Sequence, residues 1–260
     1  MGAWAADKTH YLLNYINATK KVRAGFLPPP AARGGAAFID LFAGPGKKRI
    51  GTTGEIVSGS PLTALEHGDA PFTKVIACDI EAENVAALRA RTASSGRCVV
   101  IEGDCNLQID EVLNAIPKNG LNMALIDPFG LKQLKFSTVS ALGALQRMDL
   151  ILHFPTGDIK RNLIQAPERT GMWLDDALGT TEWRRRQRDA TDVNALVEVL
   201  VEQLRGLKYT GARFHAPAIK NTTKVPLYHL VFASKNPLGD KIWASIIRTE
   251  PSGQSSLPGF

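Results

Sequence analysis

Short apolar runs of strand length recur through the first part of the chain, separated by segments in which apolar residues repeat at helical spacing. The runs predict five buried strands, at residues 38–40, 74–79, 98–104, 122–127 and 149–154. The segments around them predict helices at residues 8–23, 60–65, 81–92, 109–116 and 136–145. Strands that alternate with helices in this way are typical of a parallel sheet.

The second part of the chain departs from this alternation. Residues 156–188 are rich in charged and turn residues, and they predict an insertion that covers the sheet edge or a substrate. We expect a helix at 193–204, an antiparallel pair of strands at 213–220 and 227–234, and a closing helix at 237–247. The sequence therefore predicts a Rossmann-like α/β fold, with a mostly parallel seven-stranded sheet, a terminal antiparallel hairpin and helices on both faces.

The composition indicates a single domain, since 44% of the 260 residues are hydrophobic and no shift in composition marks a second core. We expect residues 37–250 to form this domain. Residues 1–36 would supply a helix that packs on it and a linker rich in proline and glycine, because consecutive prolines end a helix. Residues 251–260 are expected to be a disordered tail.

Charge and hydropathy limit the partners of the protein. The formal net charge of +6 suits nucleic acid, yet 25 acidic residues are interspersed, and a mildly basic enzyme is nearly as good a fit. No apolar stretch approaches the roughly 18 residues of a membrane span, and a signal-peptide core is lacking, so we expect a cytoplasmic protein. Cys78, Cys98 and Cys105 lack the spacing of a metal site and are expected to be reduced.

The first strand runs into a turn of small residues at 40–46, which is the most informative stretch of the chain. Gly44 and Gly46 allow the backbone to turn sharply and to approach a ligand closely, because they lack a Cβ. Residues 47–60 show little periodicity and predict a surface loop, with a lid over the ligand as one interpretation. A nucleotide-like ligand is the first hypothesis.

Four of the predicted strands end in an acid, namely Asp40, Asp79, Asp104 and Asp127. The carboxyl ends of parallel strands meet at one edge of a sheet, so these acids are expected to converge on the rim where ligands of such sheets bind. Helix capping alone would explain one such acid. Four in successive units favour a binding site.

The order of the elements and the residues at the strand ends resemble class I S-adenosylmethionine-dependent methyltransferases. The resemblance implies that the glycine turn wraps the methionine part of the cofactor, that Asp79 accepts the ribose hydroxyls and that Asp104 meets the adenine amino group. The cofactor-binding residues implied in this way are Asp40, Phe42, Ala43, Gly44, Gly46, Asp79, Ile80, Asp104 and Cys105. Independently of the likeness, a carboxylate can accept two vicinal hydroxyls, and a sulfonium favours an acidic rim.

A nicotinamide dinucleotide enzyme would share the acid after the second strand. Here, however, a polar loop follows the glycine turn in place of the helix that would bind pyrophosphate, and no G-x-G-x-x-G occurs. Asp79 also follows Gly46 by far more than the roughly 20 residues of the dinucleotide fingerprint. A dehydrogenase is therefore disfavoured.

The end of the fourth strand, Asp127-Pro128-Phe129-Gly130, resembles the Asp/Asn-Pro-Pro-aromatic motif of amino-methylating enzymes. The likeness implies that Asp127 and the carbonyl of Pro128 hold the target amine and that Phe129 stacks on a flipped base. Because this chain has one proline and its aromatic comes one position early, core packing is the favoured interpretation of Phe129. Cytosine C5 methylation is disfavoured, since no Pro-Cys occurs to supply the nucleophile.

Two histidines and an arginine-rich segment are further candidates. His10 would be a base or a substrate contact if the first helix covers the pocket, but lone histidines such as His10 and His153 more often pack or lie at the surface. The arginines at 184–186 and 188, beside Trp183, could bind phosphates, with a solvated helix face as the favoured interpretation. The predicted catalytic residues are Asp127, Pro128, Phe129 and His10, with no metal.

Motifs spread over nearly the whole chain resemble the three-Cys-motif partner protein family, a methyltransferase-like group. They are Lys8-Thr9-His10 with Leu12, Leu13 and Tyr15, residues 40–46, Gly59-Ser60-Pro61, residues 126–130 and residues 232–239. The family is named after a cysteine motif in a separate, radical-enzyme-like protein, so the likeness implies such a partner.

The predicted function is S-adenosylmethionine-dependent methyl transfer to a nitrogen or oxygen nucleophile in RNA, DNA, a peptide or a small molecule. A second hypothesis is a non-catalytic or partner-dependent cofactor-binding protein that works with a three-Cys-motif protein. The departure from the amino-methylating motif at residues 127–130 motivates this alternative.

Overall fold

The computed structural model describes residues 4–27, 34–49, 54–66, 69–189, 192–215 and 227–248. The predicted tail, the prolines at 28–30 and the connection at 216–226 lie outside the described residues. The strands within these ranges are β1 (Ala36–Asp40), β2 (Lys47–Arg49), β3 (Ile56–Ser58), β4 (Lys74–Asp79), β5 (Cys98–Glu102), β6 (Leu121–Ile126), β7 (Met148–Phe154), β8 (Arg213–His215) and β9 (His229–Ala233).

Seven of these strands form one sheet in the order β5-β4-β1-β6-β7-β9-β8. The five strands from β5 to β7 are parallel, whereas β9 is antiparallel to both of its neighbours. This arrangement confirms the predicted fold class, a mostly parallel seven-stranded sheet with a terminal antiparallel hairpin. β9 is shorter than the predicted strand at 227–234, and residues 216–220 of the other predicted strand lie outside the described residues.

Helices connect the strands along the chain. The α-helices within the described ranges are α1 (Trp4–Ala18), α2 (Lys20–Ala24), α3 (Ser60–Glu66), α4 (Ala82–Thr92), α5 (Ile109–Ala115), α6 (Phe136–Gly143), α7 (Thr156–Gln165), α8 (Pro167–Leu178), α9 (Trp183–Arg186), α10 (Val193–Gly206) and α11 (Pro237–Ile246). A 3-10 turn, η1 (Leu131–Gln133), follows β6. The charged segment at 156–188 is therefore largely helical.

Both faces of the sheet are buried, because successive side chains of a strand point to opposite sides. Phe38 belongs to the core shared with α1, α3 and α11, and its neighbour Ile39 belongs to the core shared with α5, α6, α8 and α10. On the first face, Trp243 of α11 stacks on Phe232 of β9 with ring centroids 4.7 Å apart. Burying one large apolar side chain of this kind contributes roughly 1.5–3 kcal/mol.

The amino-terminal helix packs on the sheet through the apolar stripe that its spacing predicts. Its buried side chains are Tyr11, Leu12, Tyr15 and Ile16. The Tyr15 hydroxyl donates to Asp149 Oδ2 at 2.7 Å, which fixes the helix against the beginning of β7. The helix ends before Thr19, whose hydroxyl donates back to the Tyr15 carbonyl at 2.7 Å and so competes with helix continuation.

The segment after the glycine turn is more ordered than its sequence suggests. β2 and β3 pair as an antiparallel hairpin, with Lys47 opposite Ser58 and Arg49 opposite Ile56. The prediction of a surface loop without packed elements is therefore wrong for these residues. Three-residue strands are too short to show the alternation by which a strand is detected in a sequence.

Candidate active site

The carboxyl ends of the parallel strands form one rim, and the sheet order places a crevice at its middle. The chain adds β4 and β5 on one side of β1 and then β6 and β7 on the other. Asp40 pairs with Ala77 of β4 and with Leu125 of β6, so the end of β1 lies between two other acid-ended strands. Ligands of open α/β sheets bind at such a point of reversal.

Asp40 lies at the centre of the rim and has no exposed surface. Its carboxylate accepts the backbone N–H of Phe42 at 3.1 Å and a short hydrogen bond from the Ser60 hydroxyl. Burial raises the pKa of Asp40 to about 6, against the lowering effect of these two hydrogen bonds. Asp40 thus ties β1 to the glycine turn and to the first residue of α3.

Two other charged residues, Asp127 and Lys48, also act on the carboxylate of Asp40. The charge of Asp127 raises the pKa of Asp40, and the charge of Lys48 lowers it. Lys48 belongs to β2 and Asp127 follows β6, so the beginning of the hairpin and the end of β6 lie at the same part of the rim.

The two glycines of the turn have different surroundings, although both adopt left-handed backbone angles. Gly44 has a φ of +60° and faces open space, because an added Cβ would meet no atom within 4 Å. Gly46 has a φ of +80°, and an added Cβ would lie 2.6 Å from Leu88 Cδ1 of α4. Gly46 is needed for packing, whereas Gly44 leaves room for a ligand to reach the backbone.

Asp79 ends β4 beside this turn. Its Oδ2 accepts the Gly44 N–H at 2.6 Å, and its Oδ1 accepts the Glu81 N–H at 2.9 Å and the Asn84 amide at 3.1 Å. A carboxylate offers about four acceptor positions, and three of them are used by these protein donors, so about one position remains for a ligand. In this conformation Asp79 can accept one ribose hydroxyl, and accepting both requires one of the three protein donors to move. The next residue, Ile80, is 57% exposed.

Asp104 follows β5 and is linked to the neighbouring loop through Asn106, which the sequence reasoning missed. Asp104 Oδ1 accepts the backbone N–H of Asn106 at 2.8 Å and its amide at 2.7 Å. The Asn106 amide also donates to the Gln133 carbonyl at 2.8 Å, and its oxygen accepts the Thr138 hydroxyl at 2.8 Å. An asparagine two residues after the strand-end acid is the only signal of this link in the sequence.

The cysteines near the rim are buried thiols. Cys105 is 3% exposed, and Cys78 is fully buried and donates to the Gly103 carbonyl at 3.4 Å. Burial raises the pKa of each of these two thiols to about 12, with nearby acids adding to the effect. They are therefore neutral at physiological pH and shape the wall of the site.

The loop after β6 presents Phe129 to solvent. Phe129 is 94% exposed, whereas Pro128 and Gly130 on either side of it are buried. Gly130 has extended backbone and donates its N–H to Gln133 Oε1 at 3.3 Å. Successive side chains of an extended chain alternate, so the buried neighbours direct the ring outward. Core packing, the favoured interpretation from the sequence, is therefore wrong for Phe129.

His153 lies beside Asp127 at the end of β7. Its Nδ1 is 3.2 Å from Asp127 Oδ1, and its ring centroid is 4.8 Å from that of Tyr228. The pairing of Ile126 with Leu152 places Asp127 and His153 at the next position of neighbouring strands. The structure thus joins a histidine that the sequence left unassigned to the predicted acceptor-binding acid.

His10 has its described contacts on its own helix. Its Nε2 is 2.9 Å from the Asn14 amide, and its ring meets that of Tyr11 edge to face with centroids 5.5 Å apart. The structure therefore provides no contact that joins His10 to Asp127 among the described side chains.

The arginines around α9 are engaged with acids. Arg184 pairs with Asp175 at 2.7 Å, Arg186 with Glu202 at 2.7 Å, and Arg185 closely with Glu182. Trp183 is 5% exposed, so its ring is unavailable for stacking. This segment agrees with the solvated-face interpretation.

Two further searches cover the described part of the chain. No group of three or more histidine, cysteine, aspartate or glutamate residues there is placed to hold a metal ion. Within the same residues, no helix has both the length and the apolar character needed to cross a membrane.

Comparisons with known proteins identify the fold. No protein-family model and no curated protein sequence matches the chain. Protein LPL1258 from Legionella pneumophila, described with the family model DUF519, is 10% identical, with a TM-score of 0.59 over 96% of this chain and 94% of that one. At this identity the likeness shows the fold alone.

Two methyltransferase structures match less closely. The methyltransferase domain of bacterial CtHen1-C is 13% identical over 86% of this chain and 100% of its own, with a TM-score of 0.42. The precorrin-6y C5,15-methyltransferase from Geobacter metallireducens is 12% identical over 83% of this chain and 88% of its own, with a TM-score of 0.37. These scores are too low to carry an argument about function.

Proposed function

We propose that this protein transfers a methyl group from S-adenosylmethionine to a nitrogen or oxygen nucleophile. The observation that carries the proposal is the glycine turn at the reversal point of the sheet. There Gly44, at positive φ and facing open space, is hydrogen-bonded to the strand-end acid Asp79. Asp127 and the exposed Phe129 follow the strand on the other side of β1.

The residues of the rim fit this cofactor with one restriction. The backbone at Gly44 would contact the methionine part, the remaining acceptor position of Asp79 would take a ribose hydroxyl, and the exposed side chain of Ile80 would cover a face of the adenine ring. Asp104, which is partly exposed, would accept the adenine amino group. The restriction is that Asp79 already accepts hydrogen bonds from three protein donors.

The other predicted cofactor residues would shape the site. Asp40 is fully buried, so we assign it the positioning of the turn. Gly46 fixes the turn against α4, and Ala43 and Cys105, which are nearly buried, would form walls. Phe42 is partly buried against the core. When bound, S-adenosylmethionine supplies a methyl group activated by a positively charged sulfur.

The acceptor would lie between Asp127 and Phe129. Asp127 would accept a hydrogen bond from the acceptor N–H or O–H, the Pro128 carbonyl would accept a second one, and the ring of Phe129 would cover a planar substrate. The acceptor atom would form a bond to the methyl carbon while the bond from that carbon to sulfur breaks and S-adenosylhomocysteine leaves, and the proton of the acceptor would pass to Asp127. Orientation of the two reactants would supply most of the rate.

Calorimetry with S-adenosylmethionine tests the cofactor assignment. We expect the parent to bind, and Asp79→Ala and Asp79→Asn to bind at least about tenfold more weakly, because each loses a carboxylate acceptor for the ribose. Glu83→Ala is the matched control, since Glu83 is an exposed acid in the first turn of α4. Thermal unfolding of each variant shows whether the loss of the Gly44 hydrogen bond has affected folding.

Absent binding to the parent, or equal binding by the parent and both Asp79 variants, would rule out the cofactor assignment. Transfer of labelled methyl to fractionated RNA, DNA, protein and small molecules then identifies the acceptor.

A cofactor-binding protein that works with a three-Cys-motif protein is the second candidate. It is favoured by the single proline at residues 127–130, where amino-methylating enzymes carry two. Co-purification with a cysteine-motif protein, together with cofactor binding and no methyl transfer to any of the four fractions, would support it over the enzyme.

A further inference from the structure

We propose that the acceptor is a base of a single-stranded nucleic acid, whose phosphates bind to basic residues of β2 and of the segments beside Phe129. This inference rests on the proposed function, because it names the class of molecule that is methylated. It is carried by an exposed aromatic ring and by cations near this rim that form no ion pair with an acid among the described residues.

Exposed apolar side chains follow three successive strands at the rim. Ile80 after β4 is 57% exposed, Leu107 after β5 is 79% exposed, and Phe129 after β6 is 94% exposed. Phe129 lies between two buried residues, so the backbone that carries its ring is anchored, and the ring makes little contribution to the core. A solvent-facing ring beside an acceptor acid is suited to stacking on a flat, polar partner such as a nucleobase.

The hairpin strand β2 brings three consecutive cations to this rim. Lys47 and Arg49 are exposed, Lys48 is half-buried, and none of them forms an ion pair with a residue of the described chain. Lys48 lies close enough to Asp40 to lower the pKa of that carboxyl, and Asp127 acts on the same group. β2 directly follows the glycine turn, and Ser60, two residues after β3, donates to Asp40, so the hairpin begins and ends beside the end of β1.

More cations follow Phe129 closely in the chain. Lys132 in η1 and Lys135 just after it are exposed and have no acidic partner among the described residues. The acid nearest to this loop, Asp158 of α7, would be 3.5 Å from a Cβ added to Gly130, and it is paired with Arg161 at 2.6 Å. In contrast, the arginines of α9 are already paired with acids, so they are poor candidates for binding phosphate.

Charged groups on the side of β4 and β5 already have partners. Glu102 at the end of β5 pairs with Arg89 at 3.3 Å, and Arg91 donates to the Pro45 carbonyl in the glycine turn. The cations of β2 and those at Lys132 and Lys135 have no acidic ion-pair partner among the described residues, so they are the groups of this rim to which phosphates would bind.

The exposed ring indicates why the strand would be single. A base within a duplex is stacked on both faces and is closed to an aromatic side chain until it is flipped out. Binding of single strands commonly combines such a ring with a positively charged groove along the backbone. RNA and DNA share this chemistry, and the experiment includes both.

Fluorescence anisotropy tests the inference with a labelled strand of about 20 nucleotides, longer than the roughly 4–16 nucleotides that one such groove covers. The strand is used as RNA, as DNA and as a duplex, in the presence of S-adenosylhomocysteine, at salt concentrations between about 50 and 200 mM. We expect the parent to bind at least one single strand more tightly than the duplex.

The double variant Lys47→Ala/Arg49→Ala should bind the strand roughly 25-fold more weakly at about 0.1 M salt. The slope of the logarithm of the association constant against the logarithm of the salt concentration should decrease in magnitude by about 1.4, as expected when two phosphate contacts are lost. Lys21→Ala/Lys118→Ala is the matched control. It removes the same charge from exposed lysines at the opposite edge of the sheet, on α2 and just before β6, and should bind as the parent does.

Phe129→Ala should weaken binding at least about fivefold, which corresponds to the lower end of the free energy of stacking one base on an aromatic ring. The dependence of binding on salt concentration should not change, because no charge is removed. Phe129→Tyr should retain binding, and Leu238→Ala, an exposed apolar change on α11, is the control.

Three results would overturn the inference: no binding of either single strand, equal weakening by the two lysine-containing double variants, or displacement of the strand by an acidic peptide at equal charge concentration. Calorimetry with S-adenosylmethionine on the same samples separates the two proposals. A parent that binds the cofactor but neither strand contradicts the substrate class alone, and one that binds strands without cofactor contradicts the methyltransferase proposal.

Discussion

At the scale of single residues, Asp127 and His153 have the most direct bearing on chemistry. They lie at adjacent strand ends with Oδ1 and Nδ1 3.2 Å apart, and His153 is 6% exposed while Asp127 is partly open. The histidine therefore contacts the carboxylate from within the protein, and the acceptor would approach from the rim. We assign His153 a positioning role, because it acts through Asp127 and not directly on the acceptor.

Replacement of His153 tests this role. His153→Leu should lower the rate of methyl transfer by roughly tenfold or more, because the carboxylate loses the group that orients it. His153→Asn places an amide nitrogen near the position of Nδ1 and should recover most of the rate. The measurement is single-turnover transfer of labelled methyl to the acceptor fraction, with cofactor affinity by calorimetry beside it.

The cofactor affinity should be the same in the parent and in both His153 variants. If the affinity falls together with the rate, or if the asparagine variant is no faster than the leucine variant, His153 acts through the fold and not through Asp127.

Single residues also show where sequence reasoning stops. The strand-end acids could be found because each follows an apolar run, and the structure brings Asp40, Asp79 and Asp127 to one rim. The outward direction of Phe129 depends on the burial of its two neighbours, which is a tertiary property. The contact between Asp127 and His153 requires β6 and β7 to be adjacent in the sheet. The local pattern of apolar and polar residues does not show which strands are adjacent.

At the scale of elements, the two glycines of the turn are expected to differ in effect, with Gly44 affecting ligand binding and Gly46 affecting stability. An alanine at either Gly44 or Gly46 takes a left-handed conformation that costs about 1 kcal/mol. Only at Gly46 does the new Cβ also collide, at 2.6 Å from Leu88 Cδ1, while at Gly44 it enters open space. The two substitutions therefore impose similar backbone strain and differ in what the added carbon meets.

Gly46→Ala should lower the free energy of unfolding by roughly 2–4 kcal/mol, because overpacking adds about 1–3 kcal/mol to the backbone strain. Gly44→Ala should cost only about 1 kcal/mol in stability but should weaken S-adenosylmethionine binding more strongly than Gly46→Ala does, since its Cβ occupies the ligand space. Denaturant unfolding and calorimetry give the two quantities. The opposite order of effects would show that the cofactor does not approach Gly44.

The hairpin of β2 and β3 shows a limit of element prediction. The helices α1, α4, α10 and α11 were accessible from helical spacing and the parallel strands from their apolar runs, whereas α7 and α8 in the charged segment at 156–188 were not predicted. The strands at 47–49 and 56–58 are each too short for a pattern to repeat, and they are defined by pairing with each other. The basic character of β2 could be read from Lys47-Lys48-Arg49, but its place beside the rim could not.

At the scale of the whole molecule, the order of the strands determines what the rim can bind. The alternation of strands and helices predicted a parallel sheet, but the position of β1 between β4 and β6 follows from how the units pack in three dimensions. That position produces the crevice and places the glycine turn beside Asp79. The hairpin that follows the glycine turn also brings the cations of β2 to this rim.

A ligand that binds the folded chain at this crevice stabilises the whole molecule. At a concentration of about 100 times its dissociation constant, it adds about 2.7 kcal/mol to the free energy of unfolding. For a domain of roughly this size, about 1 kcal/mol shifts the midpoint of thermal unfolding by about 2–4 °C, so S-adenosylmethionine should raise it by about 5–10 °C. S-adenosylhomocysteine should act similarly, because it retains the adenosine and amino-acid parts.

NAD tests whether the same crevice discriminates between ligands that contain adenosine. It offers a ribose to Asp79, but the polar segment after Gly46 gives it no helix N-terminus for its pyrophosphate, so we expect no shift of the midpoint. Asp79→Asn should reduce the shift caused by S-adenosylmethionine, while Glu83→Ala should leave it unchanged. A shift with NAD as large as that with S-adenosylmethionine would mean that the rim selects adenosine and is indifferent to the methionine part, and the assignment of the methyl donor would fail.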